Sequence, residues 1–300
     1  MNSEKIALLA ITAIAPLVWG SSYIVASHWL PSDSPLFTAL VRALPSGLLL
    51  VLATRVIPKG IWWGRIALLG LLNIGLFFYG LFFAAMHLPG GMAALVMSCQ
   101  PLIVIFLSRL MLSTPIHKNH IIAAFVGLAG IGLLVLKSNA SLDWQGVAIG
   151  LIGTTSMAFG LVLTKKWGRP NYMGVLAFTG WQLVFGGLIL LPIALLVEGV
   201  PKSLSTTNLL GYSYLVLFGT IMCYLLWFRG LEKLAVTSVS FLGFMTSISA
   251  CILGYVFLGE TLNSMQMLGA LGILLAITLS NRPVKTKRSS HDERLVGAAE

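Results

Sequence analysis

The side chains in this sequence that are able to hold a solute sit inside long apolar runs. Arg42 follows Leu40 and Val41, Gln100-Pro101 interrupts a run that continues to Leu112, and Trp181-Gln182 lies inside another. A guanidinium in an apolar setting is costly. It faces a cavity or a partner, or stretches its stem to the nearest polar boundary. In a cavity it suits a carboxylate or acts as a gate charge. A deeply placed indole N–H must find an acceptor, so Trp19 and Trp181 are either helix-packing bulk or the wall of a cavity. Tyr23, one turn beyond Trp19, shares its face, and Tyr79 is a similar candidate. Pro101 removes a backbone donor and frees a carbonyl. Gln100-Pro101 is therefore either a packed kink or a hinge whose freed carbonyl and amide line a site. Thr154, Thr155, Ser156 and Asn73 add hydrogen-bonding capacity, read more simply as helix–helix contacts.

Other chemistries have no footing here. Cys99, Cys223 and Cys251 lie in apolar runs without a CxxC pair or metal-ligand spacing, and read as small packing residues with reduced thiols. No paired Asp, Ser/His or Ser/Lys dyad, or HExxH falls at membrane depth. An enzyme, a metal centre or a cofactor site is not expected.

These residues must be positioned by membrane-embedded helices. The 300 residues are 57% hydrophobic and 9% charged, against roughly 25% charged for a soluble domain. Apolar runs near 6–27, 36–53, 66–85, 91–112 and 121–136, then 146–164, 173–197, 209–228, 235–258 and 265–280, predict ten spans of an all-α membrane protein. The run after Lys5 continues past the small-x-small triplet Ala13-Ile14-Ala15, which predicts an uncleaved first span. The net charge of +10 does not mark a nucleic-acid binder, because Lys and Arg cluster at the ends of runs. With the N-terminus inside, sixteen of the 19 basic residues fall in inside segments. Only Lys137 and Lys202 fall outside, and Arg42 is embedded. This bias predicts an even span count and both termini cytoplasmic. Trp29 and Trp144 fall at the outer boundary, and Trp62, Trp63, Trp167 and Trp227 near the inner one, as an interfacial belt.

The chain repeats itself. After Leu88 comes a small-residue helix, Leu112-Ser113-Thr114-Pro115, and a helix with Gly127 and Gly130. After Leu234 comes a small-residue helix, Leu258-Gly259-Glu260-Thr261, and a helix with Gly269 and Gly272. Ser46-Gly47-Leu48 pairs with Gly186-Gly187-Leu188, which sets Arg42 against Gln182. The reading is two five-helix repeats, 1–137 and 145–280, with a polar tail at 281–300. Five is odd, so the second repeat enters the membrane from the opposite face. Such inverted repeats place substrate sites near the midplane between the halves.

Several stretches resemble the drug/metabolite transporter superfamily in its EamA-type exporter branch. Trp19-Gly20-Ser21-Ser22-Tyr23 resembles its first-helix motif, and Leu40-Val41-Arg42-Ala43 its second-helix Arg motif. Leu88-Pro89-Gly90-Gly91-Met92-Ala93-Ala94-Leu95 resembles its third-to-fourth-helix junction. Leu258-Gly259-Glu260-Thr261-Leu262 with Gly269-Ala270-Leu271-Gly272 resembles its ninth-to-tenth-helix signature. The chain departs from strict symmetry: Thr114 stands where the repeat carries Glu260, and Thr246-Ser247 where it carries Gln100-Pro101. The resemblance implies a central cavity between the bundles, with the fifth and tenth helices outside it. It also implies export of small organic metabolites, amino acids or aromatic amphipathic compounds among them, across the cytoplasmic membrane by alternating access. A drug or pigment efflux protein, or a passive facilitator or importer, is the alternative. Expected partners are the small-molecule substrate and the bilayer. A homodimer through the fifth and tenth helices competes with packing of their glycines inside the bundle. Glu260 is expected to act structurally or as a gate. With no carboxylate inside any span, proton coupling is expected to be weak or absent, or the proton rides on the substrate, which should not be strongly cationic.

Overall fold

A computed structural model describes residues 3–31, 34–87, 96–135, 143–201, 203–258 and 264–281. Its architecture is all-helical, the form in which a backbone satisfies its own polar groups in hydrocarbon. Ten helices follow in order: α1 (Ser3–Trp29), α2 (Pro35–Thr54), α3 (residues 62–87), α4 (Gln100–Leu112), α5 (Lys118–Val135), α6 (Trp144–Trp167), α7 (Val175–Val197), α8 (Thr206–Lys233), α9 (residues 236–258) and α10 (Ser264–Ser280). Seven are long and apolar enough to cross a bilayer, and α4, α5 and α10 are shorter apolar helices. The helix α3 begins four residues before the expected 66, and α8 runs five past the expected 228.

Local signals set the ends. Pro35 opens α2, whose next two free N–H groups, Leu36 and Phe37, both donate to the Glu198 carboxylate at 2.9 Å. A carboxylate there also opposes the positive end of the helix dipole. Asp143 caps α6 through the Gln145 N–H, and Ser205 with Asn208 forms a capping box for α8.

The helices α2 and α7 pack with residue 44 opposite 187, 47 opposite 184, and 50–51 opposite 180, so they run in opposite senses. A methyl group at Gly47 would stand 2.5 Å from the Val184 nitrogen, and only glycine permits that approach. The partnering of the other helices obeys the same exchange of halves. The helix α1 packs on α8 and α9, and its counterpart α6 packs on α3 and α4. Helices α5 and α10 pack on each other, with Gly130 against Gly269 and Ile273. Those glycines are thus used within one chain.

Two irregularities recur in both halves. The helix α3 contains a π segment, Leu71–Gly75, and α8 contains another, Leu217–Met222. Such bulges are frequent at functional sites. Here a carbonyl of each takes a bond from a neighbouring helix: Leu72 O accepts from Ser156 Oγ of α6 at 3.0 Å, and Gly219 O from Trp19 Nε1 of α1 at 2.9 Å. The second irregularity is a break. The turn Ser98-Cys99 precedes α4, and Gly243-Phe244 divides α9 into Val236–Leu242 and Met245–Leu258.

Candidate functional site

Between the halves lies a cavity of about 360 Å³, walled by α1, α2, α3, α4, α8 and α9, with Met157 of α6, and extending to Pro31 beyond the end of α1. Helices α5 and α10 contribute none of its described lining residues. Trp19 reaches it because its neighbour Gly20 lets α1 press against Ser249 of α9, whose hydroxyl donates to Leu17 O at 2.6 Å. The Trp19 ring meets Trp227 at 5.2 Å and Tyr224 at 5.4 Å between centroids.

Arg42 stands about 10 Å into α2 at 1.5 Å per residue. It is 7% exposed, so it does not stretch to the boundary. Its Nη2 donates to Gly219 O at 3.4 Å, and its Cζ lies 5.3 Å from the centre of the Phe78 ring. One carbonyl of the α8 π segment therefore holds both Trp19 and Arg42. The opposite wall comes from the two broken helices: Ser98, Gln100 and Pro101 of the α4 region, and Gly243, Thr246 and Ser247 of α9. Pro101 lies in the first turn of α4, where its missing N–H costs no helical bond. At both breaks the backbone is carried by turn bonds, Cys99 N–H to Val96 O at 3.2 Å in one and Gly243 N–H to Ser240 O at 3.2 Å in the other. Arg42 brings a positive charge to the cavity wall, and no Asp or Glu is among the described lining residues.

Of the residues expected at a substrate site, Trp19, Arg42, Gln100 and Pro101 line this cavity. The Tyr23 side chain and Glu260 lie outside the described residues. Three others sit elsewhere. Tyr79 packs against Phe83. Trp181 turns away, its Nε1 donating to Val56 O at 2.8 Å and its ring against Trp63. Gln182 is 0% exposed and bonded to Asn73. Trp227 needs the opposite correction. Expected at the inner boundary, it is 1% exposed and walls the cavity. The reason is the extra length of α8, which places it well inside the helix. Tyr224, one turn before Trp227, had no signal of its own except the i, i+3 spacing from that tryptophan.

Beyond Trp227 the bundle is closed toward the end that carries Ser3. Phe228, Leu231 and Leu234 are buried. Lys165, in the last turn of α6, donates to Leu231 O, Glu232 O and Leu234 O at 2.7–2.8 Å. Arg169 Nε meets Glu232 Oε1 at 2.6 Å. This latch ties α6 to the end of α8.

Residues 5–136 and 144–282 each match the model of the EamA-like transporter family. The chain belongs to that family. It is a multi-pass membrane transporter and not an enzyme, and the two matched stretches hold α1–α5 and α6–α10. This EamA-like chain is 48% identical to Protein PecM of Dickeya dadantii (strain 3937) over 265 residues, 88% of this chain and 89% of PecM. It is 31% identical to the uncharacterized inner membrane transporter YedA of Escherichia coli (strain K12), over 86% of this chain and 85% of YedA. It is 28% identical to a probable amino-acid metabolite efflux pump of Salmonella typhimurium (strain LT2), over 96% of this chain and 98% of that protein.

Proposed function

We propose that this EamA-like transporter exports small organic metabolites across the cytoplasmic membrane by alternating access, with amino acids or related aromatic, amphipathic compounds as cargo. The observation that carries this reading is the cavity between the inverted halves. Its volume falls in the roughly 300–1,000 Å³ range of small-molecule sites. Its chemistry is amphipathic: Trp19, Tyr224, Trp227 and Phe78 offer aromatic faces, Arg42 a fixed cation, and Gln100, Ser240, Thr246 and Ser247 neutral hydrogen-bonding groups. A carboxylate-bearing aromatic solute matches all three. The 28% identity to an amino-acid metabolite efflux pump points the same way.

The charge bias of the loops supports an orientation with Ser3, and with it the latched end, on the cytoplasmic side. The cavity then faces away from the cytoplasm in this state. Counterflow in proteoliposomes over a panel of neutral amino acids and aromatic metabolites tests the reading. Saturable exchange of at least one carboxylate-bearing member is expected. Folded protein that moves none of them would overturn it.

A further inference from the structure

Exchange of the halves maps α2 onto α7, α3 onto α8 and α1 onto α6, and it carries the cavity wall onto a second cluster that is sealed. Arg42 of α2 reaches the π segment of α8. Its counterpart Gln182 of α7 reaches the π segment of α3, where Gln182 Oε1 accepts from Asn73 Nδ2 at 2.9 Å. Asn73 Nδ2 also lies 3.3 Å from Thr164 Oγ1 of α6. The bond from Ser156 to Leu72 O is the counterpart of that from Trp19 to Gly219 O.

Asn73 and Gln182 are 0% exposed, and Thr164 is 5%. A polar staple between three helices would account for the two hydrogen bonds. It does not account for the oxygens left over. Asn73 Oδ1 and Thr179 Oγ1, the latter one turn before Gln182, are buried with no hydrogen-bond partner among the described residues. Such atoms are costly in a medium without water. The fold nonetheless makes room for one of them, since a methyl group at Gly160 would collide with the Asn73 amide oxygen. The latch of Lys165 and Arg169 begins one residue beyond Thr164.

We propose that Asn73, Thr164 and Gln182 form a second binding face of the transport path, closed in this state and opened when Lys165 leaves the end of α8. The face is neutral, with amide and hydroxyl groups only. It takes the amine and carboxyl groups of a small zwitterionic solute by hydrogen bonds, without the charge supplied by Arg42. The inference rests on the alternating-access reading above.

Thiol accessibility tests it. In protein with Cys99, Cys223 and Cys251 replaced by Ala, Thr164→Cys and Gln182→Cys are compared with Thr38→Cys, which lines the present cavity. An impermeant cationic methanethiosulfonate is added to one side or the other of oriented vesicles, with and without Lys165→Met. Thr38→Cys should react from the side opposite Ser3. Thr164→Cys and Gln182→Cys should react from the Ser3 side, up to about thirtyfold faster with Lys165→Met, as expected for a shift of about 2 kcal/mol in state populations. If both stay unreactive from the Ser3 side in the Lys165→Met protein, the proposal is wrong. Where a cysteine variant does not fold, the pair Asn73→Leu with Gln182→Leu replaces it. A packing staple predicts unchanged turnover. A binding face predicts turnover down about tenfold with Thr38→Cys labelling retained. The reagent is not the cargo, so a wrong cargo assignment leaves the labelling result readable.

Discussion

Replacing Lys165 by Met should shift this transporter toward the state open at the Ser3 end. The ammonium sits 2.7–2.8 Å from the carbonyls of Leu231, Glu232 and Leu234. These are among the last carbonyls of α8, which the helix itself cannot satisfy. A hydrogen bond to a charged group contributes about 1.5–3 kcal/mol net. The three share one half-exposed ammonium, so about 2 kcal/mol for the set is the appropriate scale. Favourable interaction with the negative end of the α8 dipole is already part of that figure. The Arg169–Glu232 pair is shorter but its side chains are 34% and 27% exposed, which limits it to about 0.5 kcal/mol after screening. Met keeps most of the Lys stem and removes the charge. A loss of about 2 kcal/mol from the closed state changes the ratio of states about thirtyfold. Spin labels at Lys166→Cys and Lys233→Cys, both exposed positions on the latched helices, read the distance between α6 and α8 directly. The parent should give one short distance, Lys165→Met a second and longer population, and Arg169→Gln little change. If Arg169→Gln shifts the distribution as far as Lys165→Met, the carbonyl cluster is not what holds this end shut.

Arg42→Gln should raise the KM for a carboxylate-bearing cargo about 10- to 100-fold, the equivalent of one charge-assisted hydrogen bond, while a neutral amide analogue of the same cargo is little affected. Gly160→Ala should lower thermal stability by about 1–3 kcal/mol through its collision with the Asn73 amide; in an Asn73→Ala background the cost should largely vanish, which a double-mutant cycle measures. Glu198→Gln, which removes the charge bonded to the Leu36 and Phe37 N–H groups, should cost about 1 kcal/mol in detergent melting. Counterflow of a solute with no titrating group should be the same with a pH gradient imposed or clamped off, since the described cavity wall carries no carboxylate; dependence on the gradient would place a proton-binding group on the path.

The spans were readable because a bilayer leaves the chain few alternatives: long apolar runs must be helices, and Lys and Arg mark their ends. Arg42 and Trp19 were readable for the same reason, as groups whose placement in an apolar run demands an explanation. Trp227 was not, because five residues of helix separate a boundary indole from a buried one, and Arg229 inside α8 disguised the continuation. Trp181 looked equally embedded, yet its acceptor, Val56 O, lies in the loop after α2. No spacing within α7 announces a partner contributed by another element. The π segments left no mark either. Leu71-Leu72-Asn73-Ile74-Gly75 and Leu217-Phe218-Gly219-Thr220-Ile221-Met222 share no motif. Their equivalence emerges only when each is seen receiving a bond from the counterpart helix of the other half.

The halves match in backbone and differ in charge, and the difference has a consequence for the cycle. Arg42 and Gln182 occupy equivalent places, one on an open cationic wall and the other in a sealed neutral cluster. A ligand shifts a two-state equilibrium only by its differential affinity for the two states. A cargo with a carboxylate gains the Arg42 interaction in the state seen here and hydrogen bonds alone at the neutral cluster. It therefore favours the state latched at the Ser3 end. A neutral analogue of the same shape finds comparable partners on both faces and leaves the populations near their resting ratio. Charge on the cargo, read by a single arginine without an equal in the other half, thus sets how strongly the loaded protein is held in one orientation. Measured with the α6–α8 spin-label pair, the carboxylate form should suppress the long-distance population of Lys165→Met protein, and its amide should not.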